Sequence, residues 1–327
     1  MKKLAVCMMA LGLMLTGCGN SDAGGEAKDL SKMKIGVIQY AQHPALDAAR
    51  EGFVAALKNA GIKEDNIDIQ NASNEGANCE QIAEKLVNDG NDLIYAIATP
   101  AAQAVANKTS DIPVVLSAVT DPESSGLVTS NEKPGGNVTG TSDLTPIADQ
   151  MKLLKQILPN AKKVAIMYCS AEDNSIFQGH IAEEEAKKNG LEYVVKTVAD
   201  SNDIQSVSNS IIASGVDAVY IPTDNLLAEN MAAVSQITNA VKIPCIVGEE
   251  GMCKNGGLAT YSVNYNVLGK MAGEQAIAIL KGEKTAAETP IGYLEAKDCQ
   301  LIINRKVAKE CGITIDESKF ENAAFIE

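Results

Sequence analysis

The sequence predicts an α/β protein made of two similar units in tandem, each a parallel sheet wrapped by helices. Three observations carry that expectation. Strand-length apolar runs alternate with segments of helical period. The runs recur in the same order in both halves of the chain. About 290 residues are available for folding, long for one core and comfortable for two.

The repeat is specific. Lys34-Ile35-Gly36-Val37-Ile38-Gln39-Tyr40 returns 129 positions later as Lys163-Val164-Ala165-Ile166-Met167-Tyr168-Cys169. Each run precedes a helical stretch with a glycine stop, Gly61 and then Gly190, again 129 positions apart. Asp92 to Pro100 is echoed by Asp217 to Asn225, and Ile112 to Ser117 by Ile243 to Gly248. Four ordered landmarks at nearly one offset indicate two copies of one supersecondary pattern. Beyond the second copy, Leu258 to Val263 reads as a strand, Val267 to Leu280 as an amphipathic helix ended by Gly282, and Leu301-Ile302-Ile303 as a strand before a helix at Arg305 to Glu310. These leftovers imply that the chain passes between the units more than once, at Thr139–Asp143, Ser262–Asn266 and around 290–298. Parallel crossings of that kind make a hinge over a cleft. The expected division is a first lobe of residues 33–141 plus about 264–292 and a second of 142–263 plus about 293–327.

At the N-terminus, Lys2 and Lys3 precede an apolar stretch from Leu4 to Leu15 and then Thr16-Gly17-Cys18. Such a run is a secretory signal, too short for a stable membrane span. Its ending resembles the lipobox of bacterial lipoproteins, here Leu15-Thr16-Gly17-Cys18. The resemblance implies that residues 1–17 are cleaved and that Cys18 becomes the lipidated first residue, a membrane anchor. Residues 18–32 are small and polar, the composition of a flexible tether.

The formal charge of −14 becomes two units more negative when the signal leaves with its two lysines. That field repels nucleic acid, so nucleic acid is not an expected partner. The acids form no long run, which makes the charge a solubility feature. Six cysteines remain beyond Cys18, at 79, 169, 245, 253, 299 and 311, and no pair has CxxC spacing. No metal or cofactor is expected from them, and they are expected to be free and buried.

In open α/β sheets a ligand lies beyond the carboxyl ends of the strands. In the first unit those ends supply Tyr40 and Gln42, then Thr99 and Ala101, then Ser117, Thr120 and Asp121. In the second they supply Tyr168, Ser170, Asn174 and Ser175, then Thr223, Asp224 and Asn225, then Glu249. Thr99 as helix cap, with Pro100 at the first helical position, would offer backbone N–H groups to a carboxylate, together with Ser117. Asp224 and Glu249 would neutralise an ammonium, and Tyr40 and Tyr168 would flank an apolar or aromatic group. Thr99, Asn174 and Asp224 read equally as helix caps, Asp121 before Pro122 as a turn residue, and Glu249 with Glu250 as solvated acids. The ligand expected of the full set is an aromatic L-amino acid.

Four stretches then carry a family resemblance: Ala98 to Ala104, Ser117 to Pro122, Pro134 to Asp143, and Ile221 to Asn225. Over residues 33 to 315 the chain resembles the substrate-binding proteins of ABC transporters, in the family that includes tryptophan- and tyrosine-binding lipoproteins. The resemblance implies a type I periplasmic-binding-protein fold with two Rossmann-like lobes on a three-stranded hinge. It also implies a monomer partnered by an ABC permease and its ATPase. Other readings of the same fold are a binding protein for another small polar solute and a surface ligand sensor or adhesin. An enzyme is not expected, because GxSxG, HExxH, GxxxxGK[ST] and GxGxxG are all missing. The two histidines are His180, expected on a helix surface, and His43, in a loop near the cleft where Cys169 could pair with it.

Overall fold

The computed structural model describes residues 28–327; the signal expected over residues 1–17, Cys18 and residues 19–27 lie outside the described residues. Two sheets make two lobes. The first contains β1 (Ile35–Gln39), β2 (Ile67–Asn71), β3 (Leu93–Ile97), β4 (Val114–Val119) and β5 (Val138–Ser142), all parallel in the order β2-β1-β3-β4-β5. The second contains β6 (Lys163–Cys169), β7 (Glu192–Val198), β8 (Ala218–Ile221), β9 (Cys245–Val247) and β10 (Ala259–Ser262). These repeat the first order as β7-β6-β8-β9-β10. β11 (Gln300–Asn304) then adds antiparallel to β10, and β12 (Ala324–Ile326) adds parallel to β11. The α/β class and the two-lobed architecture are therefore as expected.

Burial explains which strands the sequence displays. β1, β3 and β4 are covered on both faces and read as unbroken apolar runs. The edge strands β2 and β7 are half exposed, which breaks the apolar signal.

The helices are α1 (Pro44–Asn59), α2 (Gly76–Asn88), α3 (Thr99–Ala106), α4 (Ile147–Ile157), α5 (Asp173–Lys188), α6 (Ile204–Ala213), α7 (Asn225–Ala240), α8 (Glu250–Lys254), α9 (Tyr265–Lys281) and α10 (Arg305–Cys311). α9 leaves the second sheet and packs along α1 of the first lobe. Small residues permit that approach: a Cβ on Gly269 would collide with the Ala49 carbonyl, and one on Gly52 with the Asn266 carbonyl. Beneath them Phe53 stacks on Tyr95 with ring centroids 3.6 Å apart.

The chain passes between the lobes from β5 to α4, from β10 to α9, and from Gly292 towards β11. Gly292 is tied to β5, donating to the Gly140 carbonyl at 2.8 Å and accepting from Ser142 N–H at 2.9 Å. The expected tether ends early. Leu30–Lys32 forms a single helical turn capped by Asp29, Asn66 Nδ2 donates to the Ser31 carbonyl at 2.9 Å, and Leu30 and Met33 pack against the first core. Two apolar side chains suffice to hold a segment whose composition is otherwise polar. The six cysteines from Cys79 onward are free; five are buried and Cys299 is half-buried. No helix among the described residues is long and apolar enough to cross a membrane.

Candidate functional site

A doubly wound sheet of order 2-1-3-4-5 has its switch point between its first and third strands, and the crevice there is the natural ligand site. Both lobes turn that edge inward. Between them lies a nearly closed cavity of about 10 Å³, room for one water-sized group. The second lobe contributes Asn174, Thr223, Asp224, Asn225, Ala228 and Glu249. The first contributes His43, Leu46, Ala118 and Thr120, with Asp143 and Tyr265 from the two crossings.

The lobes meet around this cavity. Gln178 of α5 donates to Thr120 Oγ1 at 3.2 Å and to the Thr223 carbonyl at 2.9 Å, joining both lobes through one amide. His43 Nε2 lies 3.3 Å from Asn225 Oδ1. At the rims Asn74 donates to Glu229 (3.0 Å) and Gln103 to Asp173 (2.8 Å).

Four carboxyl groups are buried in this region: Asp143, Glu172, Asp224 and Glu249. No lysine or arginine lines the cavity. Burial pushes Asp143 up to about 6, the Tyr265 and Thr120 hydroxyls pulling it part of the way back. Burial likewise raises Glu249 to about 7, against the Gly251 and Met252 N–H groups that its oxygens accept. Glu172 is pushed up by burial and by the Asp224 charge. Its oxygens accept from Asn225 Nδ2 (2.5 Å) and Leu226 N–H (3.1 Å). Asp224 is raised by burial although it caps α7 through Leu227 N–H (2.8 Å) and accepts from Cys169 N–H (2.6 Å). His43 is driven down to about 4 by burial and is neutral.

Of the residues expected from sequence, Thr120, Asn174, Thr223, Asp224, Asn225 and Glu249 line the cavity. Ser175 is buried beside them, its hydroxyl accepting from Asn174 Nδ2 at 3.2 Å. Tyr40 lines a separate pocket between the lobes with Asn74 and Cys169. The others are placed differently. Gln42 and Ser170 are exposed, the latter turned toward the Val198 carbonyl at 3.3 Å. Tyr168 is not a cleft wall: it shares a strand face with Val164 and Ile166, and Gly179 of α5 makes room for its ring. Ser117 faces the opposite way from the cleft, 2.7 Å from Thr141 Oγ1 within the first lobe. Asp121 is a turn residue, accepting from Ser124 N–H (2.7 Å) and Asn131 Nδ2 (3.2 Å).

Thr99 is the first residue of α3 rather than its cap. The cap is Ala98, held at φ 82°, ψ 153°, a region that strongly favours glycine. Thr99 and Ala101 are buried there, and Thr99 Oγ1 has no hydrogen-bond partner. The residues that sequence reasoning did not place in the site are Asp143, Tyr265 and Glu172; the signal for the first two was their position in the inferred crossings. His43 is buried, and its partner is Asn225, not Cys169. His180 is exposed, beside Glu183. No group of three or more candidate metal ligands occurs among the described residues.

The chain is 44% identical over 305 residues to a tyrosine-binding protein of Clostridioides difficile, covering 90% of this chain and 87% of that one. A solved structure from Streptococcus pneumoniae, an ABC domain in complex with L-Trp, matches with a TM-score of 0.85 at 37% identity over 90% of this chain and 99% of that one. The ligand-free, open structure of a Clostridium difficile substrate-binding protein with adhesive properties matches with a TM-score of 0.68 at 41% identity, over the same shares. The two-lobed α/β fold matches that of these type I periplasmic-binding-protein relatives. A family model for ABC transporter substrate-binding proteins matches residues 34–325, and the chain belongs to that family.

Proposed function

We propose that this protein is a lipid-anchored, extracytoplasmic receptor that holds an aromatic L-amino acid, tyrosine or tryptophan, between its lobes and delivers it to an ABC permease and its ATPase. The observation that carries the reading is the enclosed cavity with acids on its walls, no lysine or arginine, and a single histidine that burial keeps neutral. Buried charge without a partner is costly, so the complementary ligand brings a cation. The start of α3, outside the residues that line this cavity, is the candidate for the carboxylate, since the first N–H groups of a helix have no partner within it. Leu46, Ala118 and Ala228 give the cleft an apolar wall, against which a ring would lie once the lobes part to admit it.

The relatives support the class of ligand, one being a tyrosine-binding protein and the other a complex with L-Trp. The TM-scores support closure. The match to the L-Trp complex exceeds that to the open structure although the latter is closer in sequence, so the difference lies in how the lobes are arranged.

Calorimetric titration with tyrosine, tryptophan, leucine and ribose tests the reading. Tyrosine or tryptophan should bind at least tenfold tighter than leucine, and ribose should not bind. Tight ribose binding, or no preference for an aromatic side chain, overturns it. Membrane attachment is tested separately by Cys18→Ser. The variant should fold and leave the detergent phase, since an acyl chain contributes about 0.8 kcal/mol per buried methylene; unchanged partitioning would exclude Cys18 as the anchor.

A further inference from the structure

The cavity contains three polar atoms that are buried and lack any hydrogen-bond partner: Asp143 Oδ1, His43 Nδ1 and Asn174 Oδ1. The surrounding hydrogen bonds fix the chemistry of each. Asn174 turns Nδ2 toward the Thr223 carbonyl and a Glu172 oxygen. The Thr223 carbonyl can only accept, so the free atom of Asn174 is its oxygen. Asn225 donates Nδ2 to Glu172, which leaves Asn225 Oδ1 facing the imidazole. His43 must therefore donate from Nε2, and its Nδ1 is a bare acceptor in the neutral ring. Asp143 uses Oδ2 to accept from Tyr265 OH at 2.8 Å, and Oδ1, with the Thr120 hydroxyl nearby but not in hydrogen-bond geometry, remains. All three orphans are acceptors.

Three acceptors, one of them charged, suit an ammonium, which has three N–H donors and no acceptor. We propose that Asp143, with His43 and Asn174, forms the amine subsite of the cleft, and that Asp143 rather than Asp224 is the counter-ion. Asp224 has both oxygens engaged by backbone N–H groups, which fits a structural cap. This deepens the reading of the site as an amino-acid receptor and rests on it.

The position of Asp143 gives the subsite a second property. It stands directly after β5, where the chain first crosses between lobes, and Tyr265 opens α9, directly after the second crossing. Their hydrogen bond joins two of the three hinge segments at the ligand, so the amine reports to the hinge through one carboxylate.

A proton and the amine compete for Asp143. The charged or titratable groups facing it are His43 before α1, Tyr265 on α9, Asp224 capping α7, Glu249 capping α8 and Glu172 before α5. Among these only His43 could become a cation, and burial keeps it neutral above about 4. With Asp143 held near 6, amine binding requires the deprotonated form. Affinity should fall as pH drops below about 6, approaching tenfold per unit, with release of a proton on binding.

The test is calorimetry with L-tyrosine and with its desamino analogue, 3-(4-hydroxyphenyl)propionate, from pH 5 to 8 in buffers of different ionisation enthalpy. Asp143→Asn should reduce the preference for tyrosine over the analogue by roughly 10- to 100-fold and abolish the acid-side loss of affinity. Tyr265→Phe keeps the carboxylate, so the preference should persist, while loss of the hydroxyl that lowers Asp143 moves the affinity midpoint to higher pH. An Asp143→Asn variant that binds tyrosine with unchanged preference and pH profile overturns the assignment. So does a Tyr265→Phe variant without the midpoint shift, should Asp143→Asn fail to fold. If the wild type binds no amino acid at all, the failure belongs to the functional reading instead.

Discussion

Gly269→Val is expected to be the most damaging single substitution outside the cleft, costing roughly 3 kcal/mol or more and in the extreme preventing folding. The reason is local. Position 269 faces the backbone of α1, and any Cβ there would overlap the Ala49 carbonyl. Backbone cannot swing aside as a side chain can, so the two helices must separate, and overpacked cores lose about 1–3 kcal/mol even where side chains can adjust. Gly273, one turn further along, would place its Cβ 2.6 Å from that of Ala56, so α9 has no small displacement that relieves the strain. Because α9 begins at the second crossing, the separation would reach the hinge as well as the core. Thermal unfolding compared with Val267→Ala, at a residue 39% exposed, would check this. Equal stability of the two variants would show that the helices separate without cost.

The second large effect concerns pH. Without ligand, lowering the pH should close the lobes, and raising it should open them. In the closed form Asp143 titrates near 6 and Glu249 near 7, both above their ordinary values of 3.8 and 4.5, and Glu172 and Asp224 move the same way. A group whose pKa is raised in one state favours that state below its ordinary pKa and ceases to favour it as pH rises through the raised value. Closure is thus fully supported below about pH 4 and loses that support between about 4 and 7. Each of the first two shifts corresponds to about 3 kcal/mol. Opening the cleft returns these carboxylates to water without unfolding either lobe, so the cost falls on the hinge equilibrium. Small-angle scattering should show the unliganded radius of gyration rising from about pH 4 to 7 and level above that, and saturating tyrosine should suppress the rise by supplying the missing positive charge. A radius that stays constant over this range would mean that closure carries no such penalty.

The fold was legible because its central strands are covered on both faces. β1 and β6, β3 and β8, and β4 and β9 announced themselves as paired apolar runs, and the glycine stops at 61 and 190 both adopt positive φ. Ile67–Asn71 and Glu192–Val198 escaped notice because edge strands leave one side to solvent. The cleft was partly legible for a topological reason: residues following the carboxyl ends of β4, β8 and β9, such as Thr120, Thr223 and Glu249, must face the other lobe. Errors arose within strands, where alternate residues point to opposite faces. Tyr168 follows the face of Val164 and Ile166 into the helix layer, and Ser117 turns to Thr141. That period-of-two signal was present in the sequence. Asp143 and Tyr265 could not be weighed as a pair, since they are 122 positions apart and meet only when the crossings are laid side by side.

The return of the chain after its last crossing has a consequence for limited proteolysis. Lys297 is exposed in the segment between α9 and β11, which contains only single-turn helices. Cleavage there would sever the backbone without freeing the C-terminal piece. That piece carries β11, whose residues Gln300 to Ile303 pair with Ser262 to Ala259, and it buries Leu301, Ile303 and Val307 in the second core. A nicked molecule would therefore travel as a single particle in native solvent and resolve into two fragments only in denaturant, like a strand held by its neighbours after its covalent tie is gone.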